Sequence, residues 1–142
     1  MSDSTAIDLS MYRLTKAKEL LKQAELLLQT ASFDGSINRS YYAIFNAIRS
    51  LLALISVDSQ EHSGVISLFD KHFVKTNIVE KHFSQIVHTA FEVRQVSDYE
   101  DFYTPTAEQA KLQFDNAKKL IQEVETKREQ LLLKKFSLPV TG

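Results

Sequence analysis

Apolar residues recur every three to four positions along most of this chain, and that spacing constrains the fold more than any other feature. In the first predicted helix the apolar stripe consists of Leu14, Ala17, Leu21, Ala24, Leu28 and Ala31. This is the pattern of one buried helix face. The alternation of apolar and polar residues that is typical of strands is not sustained anywhere. With only three glycines and two prolines to interrupt helices, the sequence predicts an all-α chain.

The second predicted helix carries the widest apolar surface. One line of apolar residues consists of Ile37, Tyr41, Ile44, Ile48, Leu51 and Ile55, and a line beside it consists of Tyr42, Phe45 and Leu52. Because so wide an apolar arc must be covered on several sides, we expect this helix to be the central one. With three other long helices and a short third helix, the prediction is an up-and-down four-helix bundle with one additional short helix.

Two helix starts carry capping signals. Asp58 or Ser59 is predicted to cap the short third helix, because such side chains accept hydrogen bonds from the first free amides. Thr106 and Gln109 have the spacing of a capping box and predict the start of the last helix.

The length and composition exclude several classes of protein. A chain of 142 residues suits a single domain, which we expect at 1–136, followed by a disordered tail at 137–142. The formal net charge of -1 gives no global basic field for nucleic acid, so such binding would require a local patch. The lack of cysteine fits a reducing cytoplasm. Without a signal-peptide pattern or an apolar run of roughly 18 residues, the protein is predicted to be cytoplasmic, with no membrane span.

Histidine spacing and glycine content argue against a metal or a nucleotide loop. Zinc sites on helices favour ligands one turn apart, whereas His82 and His88 are six residues apart and His72 lies across a predicted break. Together with His62, these histidines are interpreted as surface or half-buried residues. Three scattered glycines do not make a P-loop. We therefore predict no metal and no cofactor.

A polar cluster is predicted where the end of the fourth helix meets the start of the second. These helices run antiparallel in an up-and-down bundle, so the two ends lie close together. A stripe of small residues on the second helix lets another helix approach. The candidate binding residues are Arg39, Tyr41, Tyr42, Asn46, Arg94, Asp98 and Tyr99.

The cluster has a structural and a functional interpretation. Arg94 and Asp98 are an i,i+4 pair, which is worth only about 0.3–0.5 kcal/mol when exposed. A buried bridge between Arg39 and Asp98 would fix the helix register. Alternatively, the same charged and aromatic side chains form a functional pocket.

Several segments, taken together, resemble the HEPN family. They are NRSYYAIFNAIRSLLA at 38–53, EHSGVISLFDKHFVK at 61–75 and the R-x-x-x-D-Y pattern from Arg94 to Tyr99, followed by an alanine-rich helix. The resemblance extends to about Lys127. It implies an all-helical homodimer, and many members are encoded beside a minimal nucleotidyltransferase as a toxin–antitoxin pair. Active members are metal-independent endoribonucleases that use an arginine followed, one or two turns later, by a histidine.

The resemblance carries over in part to this sequence. Arg94 matches the family arginine, whereas no histidine follows it in the chain. Tyr99 could take the proton role in principle, but an unperturbed tyrosine has a pKa near 10, which suits proton transfer at neutral pH poorly. Asp98 would repel a phosphate unless it were paired with Arg39.

Three functions follow as hypotheses. The first is a homodimeric binding subunit that takes a nucleotidyltransferase partner, a nucleotide or RNA through the region of Arg39 and Arg94. The second is a ribonuclease whose catalytic residues are Arg94 with Asp98 or Tyr99. The third is a helical scaffold in which the cluster is purely structural. A surplus of apolar residues over the seam of one bundle also predicts the homodimer: Phe69, Phe73, Phe102 and Tyr103.

Overall fold

The computed structural model describes residues 3–137, and all the regular secondary structure in this range is helical. Its elements are α1 (Asp3–Gln29), α2 (Phe33–Leu54), α3 (His62–Phe69), a single π-helical segment (Asp70–Val74), α4 (Lys81–Tyr99) and α5 (Ala107–Ser137). The all-α prediction is confirmed, with four long helices and a short third one. The predicted tail at 137–142 lies outside the described residues except for Ser137, which ends α5.

Helix α2 is the centre of the core, as its apolar pattern predicts. It packs against α1, α3, α4 and α5. Both of its apolar lines contribute fully buried side chains, among them Ile37, Tyr41, Ile44, Ile48, Leu51 and Leu52. Two of the residues cited for a dimer, Phe69 and Phe73, are also buried in this core, so they do not supply surface for a second chain.

The turn between α1 and α2 holds these two helices close together. Ser36 donates a hydrogen bond of 2.8 Å to the carbonyl of Ala24, and Ser32 donates its backbone N–H to the carbonyl of Leu27. A Cβ added at Gly35 would lie 3.1 Å from the Leu27 side chain, tighter than most such contacts. The small residue therefore suits this close approach.

One predicted cap is confirmed and the other is wrong. Thr106 Oγ1 accepts the N–H of Gln109 at 3.1 Å, while Gln109 Oε1 accepts the N–H of Thr106 at 2.9 Å. Neither Asp58 nor Ser59 caps α3, which begins at His62 after an extended Glu61. Asp58 instead forms ion pairs with two arginines, Arg13 on α1 and Arg49 on α2. These long-range pairs are favoured over a local cap of α3.

No helix in the described range is both long enough and apolar enough to cross a membrane.

Candidate functional site

Arg94 is held near the end of α4 by two aromatic rings and one carboxylate. Its guanidinium carbon lies 5.2 Å from the ring centre of Tyr41 and 5.3 Å from that of Tyr42, within range of cation–π attraction. Nη2 donates a hydrogen bond of 3.1 Å to the Tyr42 hydroxyl. Asp98 Oδ2 is 2.9 Å from Nε, but the N–H does not point along that line, so the contact is an ion pair without a hydrogen bond. Only 14% of the Arg94 side chain is exposed, so its position is fixed.

The structure brings together some of the predicted site residues and separates others. Tyr41, Tyr42, Arg94 and Asp98 form one cluster, as antiparallel α2 and α4 predict. Asn46 adjoins it and donates a hydrogen bond to the backbone carbonyl of Tyr42 at 2.9 Å.

Arg39 and Tyr99 lie apart from this cluster. Arg39 donates to Gln23 Oε1 at 3.0 Å and to the side chain of Asn38, so its guanidinium is turned toward α1. No ion pair joins Arg39 to Asp98 in the described part of the chain, and the bridge considered from the sequence is not formed. Tyr99 is 74% exposed at the end of α4.

His62 is the residue of the cluster that sequence reasoning missed. It is the first residue of α3, and its Nδ1 lies 2.7 Å from the Tyr41 hydroxyl. Its ring stacks on Phe45 with ring centres 4.3 Å apart. Thus Tyr41 contacts Arg94 with its ring and His62 with its hydroxyl. His62 reaches Tyr41 because the loop before α3 turns back toward α2. The sequence signal for this contact is that His62 lies within a segment that resembles the family.

Burial and nearby arginines control the protonation of this cluster. Burial, followed by the positive charges of Arg94 and Arg49, lowers the pKa of His62 below its usual value of 6.5, so the imidazole is neutral at pH 7. Burial raises the pKa of Tyr41, so its hydroxyl keeps its proton. In one tautomer of His62, Tyr41 donates to Nδ1. In the other, Nδ1–H donates to the Tyr41 oxygen and Nε2 is free to take up a proton.

The match to a family model decides the family to which the chain belongs. A model of the HEPN domain matches residues 10–128, which is most of the chain. The chain belongs to the HEPN family.

Proteins similar to this chain come from bacteria and archaea. The HEPN chain is 36% identical over 88 residues to a UPF0332 protein of Thermotoga maritima, covering 62% of this chain and 67% of that one. It is 31% identical to a candidate toxin of Methanocaldococcus jannaschii, covering 61% and 59% of the two chains. A second candidate toxin of that archaeon is 27% identical, with 82% and 86% covered. These three matches thus span between 59% and 86% of the length of the relative.

In this HEPN domain the arginine and the histidine come from different helices. No histidine follows Arg94 in the sequence, whereas His62 precedes it by a loop and most of two helices. An arginine stabilises negative charge on a phosphate, and a neutral imidazole accepts a proton. The cluster therefore combines a group that can stabilise negative charge with a group that can accept a proton.

The other histidines of the HEPN domain lie in simple pairs. His88 Nε2 is 2.7 Å from Asp70 Oδ2, and His82 Nδ1 is 3.5 Å from Glu80 Oε2. Within residues 3–137, no three His, Asp or Glu side chains are grouped so as to hold a metal ion.

Proposed function

We propose that this HEPN chain is a toxin-like subunit that binds RNA and cleaves it without a metal ion, using Arg94 and His62. The observation that carries the proposal is the shared contact with Tyr41, whose ring lies beside the Arg94 guanidinium and whose hydroxyl lies 2.7 Å from His62. The similarity to two candidate toxins supports the toxin-like role. A cytoplasmic location fits an RNA target.

The proposed reaction is attack of a ribose 2′-hydroxyl on the adjacent phosphorus. His62 takes the proton of the 2′-hydroxyl, the new P–O2′ bond forms and the P–O5′ bond breaks. The products are a 2′,3′-cyclic phosphate and a 5′-hydroxyl, whose oxygen takes its proton from water. Arg94 stabilises the charge that develops on the phosphate oxygens. Its contacts with Tyr42 and Asp98 use Nη2 and Nε, so the N–H groups of Nη1 are left for phosphate.

Cleavage of RNA in EDTA tests the proposal. The chain is separated from any partner by denaturation, refolded and compared with Arg94→Ala and His62→Gln. Loss of general acid–base catalysis in His62→Gln should reduce the rate by about 10²–10⁴-fold. His82→Gln, an exposed histidine on α4, is the matched control and should cleave like the wild type. A folded wild type that leaves RNA intact, or variants that cleave at its rate, would refute the nuclease.

A second candidate function is a homodimeric binding subunit for a minimal nucleotidyltransferase. It is favoured by two exposed aromatic residues just past the cluster, because Tyr99 is 74% exposed and Phe102 is fully exposed. Such residues are enriched at protein interfaces. In this proposal the four long helices form an up-and-down bundle that presents the end of α4 to the partner.

Co-purification with a co-expressed minimal nucleotidyltransferase tests this second function. Replacing Tyr99 and Phe102 together by alanine should abolish the complex, while Tyr12→Ala, which removes a tyrosine of α1 that is 65% exposed, should preserve it. Light scattering of the chain alone should give twice the 16.2 kDa of one chain. A mass of one chain at micromolar concentration would exclude the homodimer, and retention of the partner by the double variant would exclude this interface.

A further inference from the structure

A polar surface cavity, open to solvent, adjoins the candidate site at His62. It has a volume of about 450 Å³ and is lined by Phe45, Arg49, Asp58, Ser59, Gln60 and His62. This volume lies within the usual range of small-molecule sites. His62 belongs both to the cavity wall and to the cluster with Tyr41, so a ligand in the cavity would lie next to His62.

Two arginines share one carboxylate beside the cavity: Arg49 and Asp58 line it, and Arg13, which does not line it, also pairs with Asp58. Asp58 Oδ2 accepts Arg49 Nη2 at 2.7 Å and Arg13 Nη2 at 3.1 Å. Its other oxygen accepts the backbone N–H of Ser59 and Arg49 Nε. One carboxylate therefore balances two guanidinium groups, and with two donors on each oxygen it is fully occupied.

Arg13 and Arg49 differ in how much of each side chain is left for a ligand, because the pairing of Arg49 with Asp58 uses Nε and Nη2 and leaves Nη1 outside that pair. Arg13 is buried and also donates to the carbonyl of Arg49, so it serves the packing of α1 on α2. The Arg49 side chain is 27% exposed, lines the cavity and lies over the ring of Phe45 at 5.7 Å. Its orientation is thus fixed while part of it faces solvent, as an anion-binding arginine requires.

Gln60 supplies a hydrogen-bonding group that the fold does not use. It is exposed, and its amide makes no hydrogen bond within the described residues, whereas Ser59 Oγ already accepts the N–H of Glu61. An amide offers both a donor and an acceptor, the combination that reads the edge of a nucleobase.

We propose that this cavity binds one nucleotide of single-stranded RNA next to the cleaved phosphodiester, with Arg49 on its phosphate and Gln60 at the edge of its base. The proposal rests on the proposed ribonuclease function, since it places this nucleotide beside His62. It assigns Arg49 and Gln60 to substrate binding rather than to the reaction.

The salt dependence of RNA binding tests the cavity separately from cleavage. The probe is a fluorescein-labelled 2′-O-methyl RNA of eight nucleotides, which lacks the attacking hydroxyl and keeps every phosphate. For single strands the slope of log K against log salt is about -0.7 per phosphate contact. In Arg49→Gln we expect the slope to become shallower by about 0.7 and the affinity at low salt to fall about tenfold or more.

Matched variants distinguish a specific contact from a general charge effect. Lys118→Gln removes an exposed positive charge on α5 and should leave the slope nearly unchanged, while Arg49→Lys should restore it. Gln60→Ala should alter the relative affinity for A-, C-, G- and U-rich probes, and Gln85→Ala on the exposed face of α4 should not. Arg49→Gln still leaves Asp58 paired with Arg13, and an unchanged melting temperature verifies its fold.

Each outcome decides the inference. An unchanged slope in Arg49→Gln, an equal change in Lys118→Gln or no binding of the probe overturns it. Displacement of the probe by adenosine monophosphate at a concentration similar to that of the RNA would identify a free nucleotide as the ligand and also overturn it. An Arg49-dependent slope in a protein that cleaves no RNA would support the cavity and refute only the nuclease.

Discussion

At the scale of single residues, Tyr41 connects the two halves of the candidate site. Its ring lies beside the Arg94 guanidinium, and its hydroxyl lies 2.7 Å from His62 Nδ1. Because burial raises its pKa, Tyr41 remains neutral and does not neutralise the charge of Arg94. It therefore positions the imidazole of His62 by a neutral hydrogen bond while Arg94 keeps its charge for an anion.

We expect His62 to titrate below 6.5, and Arg49→Gln to raise its pKa. Burial comes first among the causes of the lowered pKa, followed by the charges of Arg94 on α4 and Arg49 on α2; the neutral hydroxyl of Tyr41 is the polar group in contact with the ring. Removing Arg49 takes away one positive charge that disfavours the imidazolium. An NMR titration of the imidazole resonances measures both values.

The sign of the effect on stability follows from the same shift. The pKa of His62 is lower in the folded chain than in the unfolded one, so as pH falls through 6.5 the unfolded chain takes up the proton first and the free energy of unfolding decreases. In the NMR titration, Lys118→Gln serves as the control for Arg49→Gln. A His62 midpoint at or above 6.5 in the wild type would contradict this account. Equal His62 midpoints in the two variants would contradict it as well.

Local geometry explains which site residues the sequence revealed. Antiparallel helices suffice to bring Arg94 to Tyr41 and Tyr42, because both helices are evident from their periodicity. His62 depends on the path of the loop before α3, which is held by Arg13 on Asp58, a contact across 45 residues. The direction of Arg39 depends on Gln23 of a different helix. Neither contact has a signal in local spacing.

At the scale of elements, the helices themselves were predictable and their ends only partly so. Apolar residues at helical spacing define the four long helices, and a side-chain cap is a local interaction that can be read over four residues. The cap of α5 is such a local interaction. The start of α3 has no such cap, because Asp58 makes stronger hydrogen bonds with two arginines than it would with the amides of a helix.

Replacing Thr106 by alanine should destabilise the chain by about 1 kcal/mol. The substitution removes the acceptor of the Gln109 N–H, one of the two reciprocal bonds at the start of α5. Thr89→Ala is the matched control, an exposed threonine on α4 for which we expect a change within about 0.5 kcal/mol. Urea unfolding followed by circular dichroism measures both variants. Equal stabilities of the two variants would show that the capping box contributes nothing.

At the scale of the whole molecule, one buried arginine joins distant parts of the chain. Arg128 on α5 is only 5% exposed, and its Nε donates a hydrogen bond of 2.7 Å to Ser10 Oγ on α1. Its Nη2 donates to the carbonyl of Ile7 at 3.3 Å. The side chain of Arg128 therefore turns inward, toward α1. Burial accordingly lowers the pKa of Arg128.

We expect Arg128→Ala to lower the free energy of unfolding by about 2–3 kcal/mol. The variant loses a charge-assisted hydrogen bond and the packing of the aliphatic stem, and it leaves the fully buried Ser10 hydroxyl without its donor. Lys118→Ala, an exposed cation on the same helix, should change stability by less than about 0.5 kcal/mol. Urea unfolding with an unchanged m-value is the measurement. If both variants unfold at the same urea concentration, Arg128 does not stabilise the packing of α1 on α5.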